Sequence, residues 1–191
     1  PDRALTLSFV LVALIRSLCT AVVVGILEEI VFRGLLFHAF LRRTRESVAV
    51  IGTSLIFAAL HYFRTGHSEI PRNSLWVGPL AAWELLQGWW ERFQLFPDFT
   101  GLVLVSIVLC VSVLLSRDIY VAIGLHTGWV FVIQFSKRIC DRADNISPLL
   151  FGGSQLYDGL ITVVLLVAMI PFLHFSFRLG WIKAAPQEVP E

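Results

Sequence analysis

Apolar residues fill most of this chain in long runs that are separated by short polar stretches. A helix needs about 20 mostly apolar residues to cross a bilayer core of roughly 30 Å. The pattern therefore predicts an all-α protein, a polytopic transmembrane helix bundle of roughly five spanning helices. The predicted spans are residues 18–41, Val48–Phe63, Thr100–Ser116, Ile119–Ser136 and Gly159–Phe177.

The first apolar region, Leu5–Leu41, is too long for a single crossing, because one helix of that length would reach about 55 Å. We therefore predict an apolar or interfacial lead-in over residues 1–17, which contains Arg16, before the main domain of residues 18–180. The first residue is Pro1 rather than Met, so we expect more chain before it. The tail over residues 181–191 contains two prolines and is expected to be disordered.

One stretch differs from the spanning helices in its tryptophan content. Four of the six tryptophans lie within Leu75–Trp90, namely Trp76, Trp83, Trp89 and Trp90. Tryptophan favours the boundary between membrane and water. The stretch is therefore interpreted as an interfacial or re-entrant segment, which serves either as a gate or as a plain anchor.

Composition supports the membrane assignment. Hydrophobic residues make up 57 % of the chain, charged residues 15 %, and the mean hydropathy is +0.77, whereas soluble domains carry roughly 25 % charged residues. A net charge of +1 argues against a nucleic-acid partner, which would require a basic stripe. The three cysteines show neither metal-ligand spacing nor a disulfide framework.

Three charged residues lie inside the first apolar region. Each of Glu28, Glu29 and Arg33 costs on the order of 2.5–3.5 kcal/mol at the centre of a membrane helix. Arg33 follows Glu29 by four residues and shares its helix face, whereas Glu28 points about 100° away. We therefore expect Arg33 to neutralise Glu29 and to leave Glu28 free for chemistry.

Two histidines lie in other apolar runs. His61 closes the second predicted helix and His126 lies within Gly124–Trp129. One glutamate and two histidines can position and deprotonate a water molecule, either directly or through a bound metal. His38, His67 and His174 lie at a helix end, in a loop and near the last helix exit, where ordinary structural roles are expected.

The three motifs, Glu28-Glu29-x-x-x-Arg33, Phe57-x-x-x-His61 and His126, occur in that order on successive apolar helices. Together they resemble the CAAX-protease and bacteriocin-processing family, also called the Abi family, of glutamic intramembrane endopeptidases. The resemblance covers roughly residues 18–135 and implies a polar cavity within the membrane.

The resemblance also implies a role for each residue. Glu28 would be the general base and His61 would help to hold the water, while Glu29 and Arg33 organise the site. His126 would help to stabilise the oxyanion. The family often has Asn four residues after this histidine, where this chain has Val130; the candidates for the missing donor are Trp129, Thr127 and Gln134.

Two other functions stay open from the sequence. One is a metal-dependent membrane hydrolase with Glu28, Glu29, His61 and His126 as ligands, although no cofactor is favoured. The other is a non-catalytic immunity or scaffold protein, to which Val130 points. As an endopeptidase the chain would cut a membrane-tethered or lipidated partner near its C-terminus, at a prenylated box, a bacteriocin leader or a surface-sorting tail. The expected location is the inner membrane of a bacterium or the endoplasmic reticulum of a eukaryote.

Overall fold

The computed structural model describes residues 6–61, 83, 98–140, 147–152 and 159–185, and within them every regular element is a helix. The all-α prediction is confirmed for this part of the chain. In chain order the elements are α1 (Leu7–Glu29), a π-helix (Ile30–Phe37), α2 (His38–Leu41), α3 (Glu46–His61), α4 (Thr100–Ser116), α5 (Tyr120–Ile139), α6 (Pro148–Phe151) and α7 (Leu160–Arg178).

The first three elements form one uninterrupted helical segment, Leu7–Leu41, of 35 residues. The backbone passes through Arg16 as regular helix, so no change of secondary structure separates the predicted lead-in from the predicted span. Arg16 lies on the exposed side of α1, where its carbonyl accepts a 2.9 Å hydrogen bond from Thr20 Oγ1. An exposed polar side chain does not interrupt the backbone hydrogen bonds of a helix, and the boundary between the lead-in and the main domain stays a prediction.

Two helical segments in the described ranges are long and apolar enough to cross a membrane, Leu7–Leu41 and Leu160–Arg178. Helices α3 and α4 are apolar but shorter. The observed bounds of α3, α5 and α7 lie within about three residues of the prediction, which is the usual uncertainty of helix ends read from sequence.

Helix α4 lies at the centre of the described bundle. It packs against α3, α5 and α7, and most of its residues are buried, including Ser106 and Cys110. It ends where Arg117 adopts a left-handed conformation with φ of 58°. Ser116 Oγ then bonds the backbone of Asp118, and Tyr120 N donates to Asp118 Oδ1 at 3.0 Å, so that the chain turns directly into α5.

Helix α1 packs mainly against α5, through a stripe of small residues. Every fourth residue of α1 is buried: Ala13, Ser17, Ala21, Gly25 and Glu29. At Gly25 the two backbones approach so closely that an added Cβ would overlap Thr127 Oγ1 and would lie 3.1 Å from Thr127 N. Small residues allow membrane helices to make such close contacts. This contact sets the position of Glu29 against α5.

Two predicted segments fall partly outside the described residues. Of the tryptophan-rich stretch only Trp83 is described, and its side chain is exposed. Of the tail only residues 181–185 are described; Ala185 N donates to Ser116 O at 2.7 Å. His67 lies outside the described residues.

Candidate active site

The candidate site begins with the two adjacent glutamates at the end of α1. Glu29 continues the small-residue stripe and is fully buried, whereas Glu28 points to the neighbouring face and is 30 % exposed. This division follows from the 100° that separates consecutive residues on a helix. The sequence correctly predicted that the two carboxylates would have different surroundings.

Arg33 lies one turn beyond Glu29, inside the π-helix. Its Nη1 donates to Glu29 Oε1 at 2.9 Å, and neither side chain is exposed. The guanidinium also lies over the Phe57 ring, 4.9 Å from its centroid. The predicted ion pair is therefore present. Because it is buried, removal of one partner would leave an uncompensated charge at a cost of about 3–5 kcal/mol.

The π-helix that carries Arg33 has its own hydrogen-bond arrangement. His38 Nδ1 lies 2.5 Å from Arg33 O, a carbonyl that can only accept, so the imidazole donates. A π-helix inserted into an α-helix is uncommon and is often found at functional sites. His38 therefore stabilises the backbone of the segment that holds the buried arginine.

His126 connects the buried pair to α5. Its Nδ1 lies 2.7 Å from Glu29 Oε1, the same oxygen that accepts from Arg33. Since Glu29 receives a charged donor from Arg33, its carboxylate is the acceptor and His126 Nδ1 carries the proton. In its neutral form His126 therefore presents the lone pair of Nε2 to its other side, where Nε2 lies 3.8 Å from Glu28 Oε2.

His61, the last residue of α3, approaches Glu28 from the opposite direction. Its Nδ1 donates to Phe57 O at 2.9 Å, which leaves Nε2 as the free nitrogen of the neutral ring. Nε2 lies 3.7 Å from Glu28 Oε2, and the imidazole is 29 % exposed. The sequence-predicted group of Glu28, His61 and His126 is therefore brought together from three helices.

Glu28 Oε2 lies between the two imidazoles without a hydrogen-bond partner among the described residues. Both gaps, 3.7 and 3.8 Å, are too long for a direct hydrogen bond and suit polar groups that share a bridging water molecule. The three groups thus lie close together, and the side chains of Glu28 and His61 are partly exposed. Such an arrangement can hold a water molecule and accept its proton.

The structure also places the three residues considered as oxyanion donors. Thr127 packs against Gly25 on the α1 side of α5. The indole of Trp129 packs with the core of α4 and α7; its buried N–H has no partner in the described chain, and it lines a small cavity of about 30 Å³ beside His126. Gln134 lies eight residues beyond His126, about 12 Å further along the helix.

Sequence reasoning missed one polar residue of this cluster, Ser106 of α4. Arg33 Nη2 donates to Ser106 Oγ at 2.9 Å and to Ser106 O at 3.2 Å. Serine is common in membrane helices, so its presence in an apolar run gives no signal. Its pairing with Arg33 spans 73 positions of sequence, and only the packing of α4 against the π-helix brings the two together.

No group of three or more His, Cys, Asp or Glu side chains in the described ranges is arranged as a metal site. Glu29, one of the four ligands considered for a metal, instead pairs with Arg33 and His126. The remaining three are Glu28, His61 and His126, and both imidazoles lie within 4 Å of Glu28 Oε2.

The fold and the site define a helical membrane protein with a carboxylate pair and two histidines gathered inside its apolar bundle. The chain belongs to the Rce1-like family of type II CAAX prenyl endopeptidases, whose family model matches residues 9–132. This range contains every residue of the cluster, and it confirms the resemblance that the three motifs indicated. The comparison with curated proteins finds no match, and the comparison with solved structures also finds none.

Proposed function

We propose that this protein is an intramembrane endopeptidase in which Glu28 activates the attacking water. The observation that carries the proposal is the convergence of Glu28 Oε2, His61 Nε2 and His126 Nε2 across gaps of 3.7 and 3.8 Å. Membership of a family of CAAX prenyl endopeptidases supports peptide-bond hydrolysis. The substrate that this membership favours is a membrane-tethered protein with a prenylated C-terminal box.

The mechanism follows from which groups at the site carry a proton. A water molecule has two hydrogens and can donate to two of the three groups, and a proton on the third group would let that group donate to the water oxygen. We assign this proton to an imidazole, His61 or His126, and the free carboxylate to Glu28. The water then donates to Glu28, and its oxygen attacks the carbonyl carbon of the scissile bond.

As the tetrahedral intermediate forms, the proton of the water passes to Glu28. The imidazolium then donates a hydrogen bond to the oxyanion. A preorganised donor at this atom stabilises the charge that develops in the transition state. When the C–N bond breaks, Glu28 returns the proton to the leaving amine. Glu29 holds His126 by its Nδ1–H, so that Nε2 faces the reacting atoms.

The membrane arrangement belongs to the same proposal. We place five crossings at the Leu7–Leu41 segment and at α3, α4, α5 and α7, with Glu28 and His61 lining a polar cavity that admits water. The protein would then be a multi-pass integral membrane protein of the bacterial inner membrane or the eukaryotic endoplasmic reticulum. The reaction needs no cofactor in this scheme.

The test is cleavage of a farnesylated peptide that ends in a CAAX box, by the protein in lipid nanodiscs. Glu28→Gln removes the base but keeps the side-chain size, and we expect the rate to fall by about 10²–10⁴-fold. Glu46→Gln, at an exposed position in the first turn of α3, is the matched control. Full activity in Glu28→Gln would rule out the proposed base.

A metal-dependent hydrolase is the second candidate function, in which Glu28, Glu29, His61 and His126 would supply the ligands. Prolonged dialysis against a chelator distinguishes the two. We expect cleavage activity to persist after dialysis. Loss of activity that added zinc restores would favour the metal-dependent hydrolase. A wild-type protein that cleaves no prenylated peptide and no protein of its own membrane would favour the non-catalytic role instead.

A further inference from the structure

A chain of polar contacts leads away from the reacting groups and ends on α4. Glu28 faces His126, His126 donates to Glu29, Glu29 accepts from Arg33, and Arg33 donates to Ser106. The last four residues are all buried, and the chain joins α1, the π-helix, α4 and α5. Its far end, Ser106 Oγ, lies on a helix that contributes no group to the reaction.

From this chain we infer that Ser106 is a positioning residue for the reaction, acting through Arg33 and Glu29 on His126. The inference deepens the proposed function and rests on it for its catalytic consequence. Arg33 Nη1 and His126 Nδ1 donate to the same oxygen, Glu29 Oε1, while Glu29 Oε2 has no partner in the described chain. The position of the guanidinium therefore decides where this carboxylate oxygen lies and how His126 is oriented.

Ser106 is the side chain that fixes the other end of that guanidinium. Its Oγ accepts from Nη2 at 2.9 Å, whereas the backbone carbonyl of Ser106 accepts at the longer distance of 3.2 Å. Arg33 Nε has no hydrogen-bond partner among the described residues, although the guanidinium also meets the Phe57 ring and the Cys110 thiol. Hydrogen bonds to charged groups are stronger than those between neutral groups, and loss of Oγ leaves Nη2 only its longer bond.

The experiment compares Ser106→Ala with Ser106→Thr, which keeps the hydroxyl, in the full chain in nanodiscs. Ser112→Ala is the matched control, because Ser112 is equally buried on the same helix but its Oγ bonds Leu109 O of its own turn. We expect Ser106→Ala to lower kcat about tenfold with KM changed less than about twofold, the pattern of a defect confined to the transition state. Ser106→Thr restores kcat, and Ser112→Ala leaves it unchanged.

A second readout does not require activity. The ¹⁵N NMR signals of His126, assigned by their loss in His126→Asn, report which ring nitrogen carries the proton. We expect Ser106→Ala to weaken the Nδ1–H signal and Ser106→Thr to retain it. If Ser106→Ala does not fold, the near-isosteric Ser106→Cys, whose sulfur is a weak acceptor, takes its place.

The outcomes separate the two proposals. Unchanged His126 signals in Ser106→Ala overturn the positioning role, as does an equal loss of kcat in Ser112→Ala. If the wild type cleaves nothing while the His126 signals respond to Ser106, the proposed protease function fails and the structural coupling stands.

Discussion

Glu29 Oε1 and His126 Nδ1 lie 2.7 Å apart, although 97 positions separate the two residues in the sequence. This contact fixes the tautomer of the imidazole and turns Nε2 towards Glu28. Arg33 Nη1 donates to the same oxygen of Glu29, so both groups meet at one carboxylate oxygen. In the proposed mechanism, the glutamate that orients His126 is therefore a different one from the glutamate that we assign as the base.

Replacement of Arg33 by an apolar residue tests the buried pair. We expect Arg33→Met to lower the free energy of unfolding by about 3–5 kcal/mol, because Glu29 keeps a buried charge without its counter-ion. The measurement is reversible unfolding in detergent, followed by circular dichroism. Arg42→Met, at an exposed position just after α2, should change stability by less than about 0.5 kcal/mol. Equal stability of the two variants would contradict the buried location of Arg33.

The close approach of α1 and α5 predicts sensitivity at Gly25. Gly25→Ala places a methyl group against Thr127, so we expect a loss of about 1–3 kcal/mol in stability from overpacking. Cleavage should fall as well, since the same contact holds Glu29 against His126. Gly124→Ala on α5 is the control, because an added Cβ there meets nothing within 4 Å. A tolerated Gly25→Ala would show that the helices can separate without cost.

The two histidines that cap a carbonyl four residues earlier make a matched pair. His61 Nδ1 bonds Phe57 O, and His174 Nδ1 bonds Ile170 O in the same way. Since His61 also faces Glu28, we expect His61→Asn to lower kcat about 10²-fold, as for loss of a group that takes part in proton transfer. His174→Asn should leave kcat unchanged. Similar effects of the two substitutions on kcat would mean that His61 acts only as a helix cap.

Val130 offers a gain-of-function test of the oxyanion site. An asparagine there lies one helical turn from His126, so we expect Val130→Asn to raise kcat by about tenfold or more if its amide reaches the oxyanion. Val132→Asn, at an exposed position of α5, is the control and should have no effect. An unchanged kcat in Val130→Asn would mean that the imidazolium alone stabilises the oxyanion.

The sequence predicted the positions of most helices but did not predict that the first helical segment is continuous. The apolar runs predicted α3, α4, α5 and α7 within about three residues, because polar residues interrupt the apolar pattern close to each helix end. At Arg16 the length argument placed a lead-in before the span, whereas the helix itself is continuous there. A charged residue on the exposed side of a helix carries no information about whether the backbone continues.

For the site, the sequence by itself determined which residues carry charge inside the apolar helices, and that Glu28 and Glu29 must face different ways. Helix geometry fixes these facts within one turn, so no tertiary contact is needed to predict them. The contacts of Glu29 with His126 and of Arg33 with Ser106 were decided only by the packing of α1, α4 and α5. These contacts depend on the close approach at Gly25 and on the π-helix, which set how each helix is rotated about its axis relative to its neighbours. The spacing of residues along one helix does not determine this rotation.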